Sequence, residues 1–118
     1  MAFTRITPIE ATAAYFAEGS TPQMATITAV ASDVTNGNII SLSSNILLVL
    51  ENTTVGAETV TVTSYPDGFG RVANITAFSI GAGVRVARFF KRPSWGNGGG
   101  DLEILTSDVG IEVEAFKL

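Results

Sequence analysis

The sequence predicts an all-β fold, a β-sandwich of jelly-roll type with seven to eight short antiparallel strands and an N-terminal arm or short helix. Three observations predict it. Thr, Val and Ile contribute 14, 11 and 10 residues, together 35 of 118, and their branched Cβ atoms fit a pleated sheet better than a helix. Apolar residues alternate with polar ones at period two, most strictly in Thr59-Val60-Thr61-Val62-Thr63, as a strand with one buried face requires. Clusters of Gly, Asn, Asp and Pro interrupt the chain at short intervals, which sets short strands between turns. With 46% apolar residues, a chain of this length buries about two thirds of its unfolded surface, enough for one two-layer core.

The elements follow in order. Residues 1–22 read as an N-terminal arm or short helix and residues 23–118 as the sandwich. Thr7-Pro8-Ile9-Glu10 offers a helix cap and a proline suited to the first turn, and the alanines at 11, 13, 14 and 17 favour helix over residues 7–18. A helix of that length is marginal alone, so an arm extended against a partner is the competing reading. From Met24 to Ala31 apolar and polar residues alternate as in a strand, and Asn36-Gly37 supplies a turn with positive φ. Ile39, Ile40 and Leu42 form the next strand, and the unbroken run Ile46-Leu47-Leu48-Val49-Leu50 reads as a central strand covered on both faces. Residues 59–63 follow a polar loop at 51–57, and the two strands read as a hairpin. Ile75–Ile80 and Val84–Phe90 flank Gly81-Ala82-Gly83 and read as a second hairpin. Residues 91–100, with Pro93 and four glycines, cannot sit in a central strand and read as a long surface loop. Leu102 with Ile104, and Ile111 with Val113 and Ala115, supply two closing strands.

Charge and composition exclude much. Seven Lys and Arg against eleven Asp and Glu give a net charge of −4, which supports no attraction to nucleic acid or an anionic membrane. The chain has neither Cys nor His, so the common metal and haem ligands, thiol nucleophiles, imidazole bases and disulfides are absent; no cofactor and no catalytic residue is expected. The longest apolar run is five residues, and Met1-Ala2-Phe3-Thr4-Arg5 does not open a signal peptide, so the expectation is a protein made in a cytoplasm without a membrane span.

Asp101 with Glu103, and Glu112 with Glu114, each share a strand face, a spacing that glycosidases and divalent-metal sites use. Their apolar neighbours read more simply as the buried side of half-solvated strands. Gly96-Asn97-Gly98-Gly99-Gly100-Asp101 lacks the Lys and the following helix of a phosphate loop. The dense basic cluster is Arg85, Arg88, Lys91 and Arg92, and between Arg5 and Arg71 there is no Lys or Arg at all. It reads either as a surface for an acidic protein partner or as a charged edge strand that discourages stray sheet pairing. Trp95 reads as a contact anchor or as a lid on the core. A sugar-binding face built from Tyr65, Phe69 and Trp95 is a rival reading.

The stretch from Ile46 to Val62, an apolar strand, an Asn-Thr turn and a Thr-Val strand, resembles small virion proteins of tailed bacteriophages. Ile80-Gly81-Ala82-Gly83, Arg88-Phe89-Phe90-Lys91-Arg92-Pro93 and Val109-Gly110-Ile111-Glu112-Val113 are similar to further segments of such proteins, so that the likeness runs from about residue 36 to 118. The family resembled is that of β-sandwich capsid decoration, or cement, proteins. The resemblance implies a structural virion protein on the outer surface of a phage head, bridging major capsid protein subunits, with a homo-oligomer (trimer or dimer) on the shell. On that reading the partner-binding residues are Phe3, Ile6, Ile9, Tyr15 and Phe16 of the arm together with Arg85, Arg88, Lys91, Arg92 and Trp95. The arm residues have an alternative role as core of the chain's own sandwich. A glycan-binding or adhesion sandwich and a tail or neck component are the other readings of function.

Overall fold

In the computed structural model the chain is an all-β sandwich. The structure describes residues 3–10, 27–43, 45–65, 74–91, 95–96 and 99–117. Among them lie ten strands and no helix: β1 (Thr4–Arg5), β2 (Ile9–Glu10), β3 (Val30–Ala31), β4 (Asn38–Ser41), β5 (Ile46–Asn52), β6 (Glu58–Thr63), β7 (Ile75–Ile80), β8 (Arg85–Phe90), β9 (Asp101–Thr106) and β10 (Ile111–Lys117). One sheet runs β1-β4-β9-β6-β7; the other runs β2-β10-β5-β8, with β3 beside β2 on the same edge of β10. The seven longer strands, β4 to β10, pair antiparallel, whereas β1 on β4 and β2 on β10 are parallel.

Period-two patterning sets the core. Ile46, Leu48 and Leu50 of β5 face Val60 and Val62 of β6, and Leu102 and Ile104 of β9 and Ile111, Val113 and Ala115 of β10 complete the interior. Each aliphatic side chain fully buried here contributes about 1.5–3 kcal/mol. Leu47 and Val49, on the other side of β5, are half-buried, so this strand is central in its sheet but less fully covered on its outer face.

The two expected hairpins are not formed. β5 and β6 lie in different sheets, as do β7 and β8, and the hairpin that does form joins β6 to β7. The reason is the buried side chain of Asn52. Its Nδ2 donates to the carbonyls of Gly56 and Ile80 at 2.8 Å each, and its Oδ1 accepts from the backbone N–H and hydroxyl of Thr54 at 2.9 and 2.7 Å. The main chain of Asn52 bonds Gly83 and Val84 as well. One residue thereby holds the arch from β5 to β6 against the turn from β7 to β8, and both connections cross between layers. Fully satisfied, such a buried amide specifies one connection; a partly satisfied one is costly.

Residues 3–10 are built into the sandwich. β1 adds to one sheet, β2 to the other, and Ile6 between them enters the core at 4% exposure. Asn38, also buried, fixes the entry: its Nδ2 donates to the Thr4 carbonyl and its Oδ1 accepts from the Asp33 N–H. Thr4 also donates its hydroxyl to Asp33. The proposed helix at 7–18 is extended where it is described, since Ile9–Glu10 is a strand; residues 11–18 lie outside the described residues. Of the strand expected over 24–31, Val30–Ala31 pairs with β10 while Ile27 stands 59% exposed; residues 24–26 lie outside the described residues.

Candidate interaction surface

The sandwich is closed on one flank and open on the other. β7 and β8 are the terminal strands of their sheets, and among the described residues nothing pairs with their outer edges. Because a short turn joins them, the two free edges lie on the same flank. Between them opens a cleft of about 250 Å³, lined by Ile75 and Phe78 of β7, Val86, Arg88 and Phe90 of β8, and the core side chains behind them. Phe78, Val84 and Phe89 remain 44–49% exposed on these strands.

The register orients each side chain. Val86, Arg88 and Phe90 oppose Leu50, Leu48 and Ile46 and therefore share their inward side, while Arg85, Ala87 and Phe89 face outward with Glu51, Val49 and Leu47. Arg88 is thus an inward-pointing cation at an edge, a placement natural sheets use against unwanted pairing. Its guanidinium carbon stands 5.7 Å from the Phe90 ring centre and 5.4 Å from that of Trp95, within the range of a cation–π contact. Phe90 and Trp95 meet edge to face with centroids 4.8 Å apart. Among the described residues no carboxylate pairs with Arg88.

β7 carries a kink. Val60 opposes Phe78 but Val62 opposes Ile75, so two residues of β7 face Thr61. Ala77 takes the left-handed conformation there, with φ of 49°, and its N–H donates to the Thr61 hydroxyl at 3.0 Å. This is a β-bulge occupied by a residue with a Cβ, which costs about 1–2 kcal/mol relative to glycine's freedom there.

The sequence-derived contact residues fall into three groups. Ile6 and Trp95 have core roles, Ile6 because two sheet edges enclose it and Trp95, at 8% exposure, because it caps Phe90. Phe3 packs its ring over Gly37, whose positive φ of 77° and missing Cβ make room for it, and Ile9 is paired beside Phe116. Arg85 is engaged internally, its Nη2 2.9 Å from Glu114 Oε1 and its Nε 3.8 Å from Glu51 Oε1. Arg88 and Lys91 are exposed on the open flank. Tyr15, Phe16 and Arg92 lie outside the described residues. The cleft and its aromatic floor were not legible in the pattern; the opposite parity of Arg85 and Arg88 was the one available signal.

Of the four paired carboxylates three are engaged within the fold, Glu114 by Arg85 and Asp101 and Glu103 as follows. Arg5 holds Asp101 with two hydrogen bonds of 3.1 and 3.0 Å, and the Tyr65 hydroxyl donates to Glu103 Oε2 at 2.6 Å. That bond to a carboxylate, with partial burial, pushes the Tyr65 phenol up to about 12. Asp33 is held below the ordinary carboxylate range, first by the Thr4 hydroxyl and then by the Asn36 N–H. Of the three aromatics expected for a sugar-binding face, Trp95 caps the core and Tyr65 is tied to Glu103; Phe69 lies outside the described residues. Among the described residues no group of three or more acidic side chains is placed to hold a metal, and no helix is long and apolar enough to cross a membrane. Compared with known proteins, the chain matches no family model, no curated protein and no solved structure.

Proposed function

We propose that the protein is a structural virion protein, a capsid decoration protein that binds the outside of a phage head and bridges major capsid protein subunits. The observation that carries this reading is the open flank: a small acidic sandwich keeps on one side an apolar cleft, two strand edges that are unpaired among the described residues, and the exposed cations Arg88 and Lys91. Such a surface acts by contact area, and binding that favours the assembled shell over free subunits stabilises the shell by mass action. Many copies on one lattice, assembled as trimers or dimers, multiply a modest single-site affinity. The likeness of residues 36–118 to decoration proteins supports the choice of partner.

The test is co-sedimentation of the purified protein with empty expanded phage capsids. Retention on shells, together with a raised temperature of shell disruption, is the expected result. Failure to co-sediment at protein concentrations well above lattice saturation discards the decoration reading.

A further inference from the structure

The closed flank shows how this sandwich seals itself. One extended segment, residues 4–10, adds β1 to the edge of one sheet and β2 to the edge of the other, and drops Ile6 between them. On the opposite flank the same elements await a segment: two edges with no partner strand among the described residues and an apolar cleft that reaches Leu48, Leu50, Val60 and Val62.

The two edges are not equivalent. β7 is broken by the bulge at Ala77, so its ladder is irregular. β8 is regular over its pairing with β5. The bond from the Asn52 N–H to the Val84 carbonyl sets the phase of that ladder. By antiparallel alternation, Val86, Arg88 and Phe90 then spend their backbone groups on β5, and Arg85, Ala87 and Phe89 point theirs outward. The span 84–91 contains Arg85, Arg88 and Lys91 and no acid, so pairing β8 with β8 of a second copy sets cations against cations.

We propose that β8 is an acceptor edge that takes, in antiparallel pairing, an extended segment of another protein, with apolar side chains entering the cleft opposite Val86 and Phe90 and a carboxylate meeting Arg88. Main-chain bonds to Ala87 and Phe89 supply the affinity and the alternating side chains supply the selection. Arg88 is exposed, held over the Phe90 and Trp95 rings, and has no carboxylate of its own among the described residues, so a partner's acid forms a charge-assisted contact there. This inference concerns the chemistry of the segment and stands whether the segment belongs to a capsid subunit or to a different protein.

The experiment uses the full chain and the acetylated, amidated peptide Thr-Val-Ile-Glu-Thr-Val-Glu-Thr, with a control in which Lys replaces both Glu. Binding is followed by fluorescence of Trp95, the chain's one tryptophan, and by amide hydrogen exchange. The expected result is saturable binding of the acidic peptide alone, with new protection at the Ala87 and Phe89 amides and an affinity about tenfold lower in R88Q, the loss of one charge-assisted contact. A87P removes an outward N–H at an edge, a place where proline is tolerated, and abolishes binding while circular dichroism stays unchanged. If A87P fails to fold, R88Q and the exchange map still decide. No saturable binding, equal binding of the Lys peptide, an unchanged affinity in R88Q, or protection confined to other strands overturns the proposal.

Discussion

The two flanks of the sandwich solve the same problem differently. A sheet edge leaves backbone donors and acceptors unpaired and exposes the margin of the core. On one flank residues 4–10 cover both edges and seat Ile6 inside, with Asn38 and Asp33 fixing the entry of the segment. On the other, β7 and β8 end their sheets with no strand beyond them among the described residues, guarded by the bulge at Ala77 and the inward charge of Arg88. A flank sealed by the chain's own backbone is a stability element, and a flank guarded by a kink and a cation leaves its apolar margin available.

Substitutions break or sharpen this contrast. The largest effect is expected at Asn52, which ties the turn between the two open-flank strands to the arch of the core strands. Asn52→Ala strands the buried Ile80 carbonyl and removes the bonds to Gly56 and Thr54, and costs about 4 kcal/mol, read as a fall in the urea midpoint. On the closed flank Ile6→Ala costs about 3 kcal/mol by leaving a cavity. Its counterpart on the open flank, Phe78→Ala, is expected to cost under about 1.5 kcal/mol, because half of that ring already faces solvent. Equal losses at Ile6 and Phe78 break the contrast.

Smaller effects sharpen it. Ala77→Gly relieves a left-handed alanine at the price of a looser unfolded chain, a net gain of about 0.5 kcal/mol, visible as a small rise in melting temperature. Tyr65 follows the end of β6, and its bond to Glu103 is a pH-dependent tether. Its phenol titrates at about 12 in the folded protein against an ordinary 10.0. The folded value is raised, so the bond's contribution is complete below pH 10 and is lost as pH rises through 12. Absorbance of the phenolate is expected to show one tyrosine resisting ionisation until that range, and Glu103→Gln to bring it down.

Residues whose partners lie on the same strand face were legible in the sequence; residues whose partners lie across the sandwich were not. Period two identified Val60, Val62, Leu102, Ile104, Ile111 and Val113 as inward, and the Asn36-Gly37 turn was visible because Gly37 needs positive φ. Alternation says which face is buried but not which strand is the neighbour, so β5 with β6 and β7 with β8 looked like hairpins. The deciding residue, Asn52, looked like part of a polar loop, since nothing local distinguishes a buried amide with four partners from a solvated one. The candidate surface was legible only as a cluster of basic residues. That Arg88 turns inward over two aromatic rings depends on strand register, which is a property of the assembled sheet.

The position of β10 has a consequence in time. It follows every other strand in chain order, yet β5, β2 and β3 all pair with it. During synthesis, therefore, β5 can pair with β8 on one side, but its other side and the edge strands β2 and β3 have to wait for residues 111–117. Pairing across such sequence distances is slow to nucleate, so the nascent molecule spends that interval with apolar strands exposed, the stage at which a chaperone matters most to its yield.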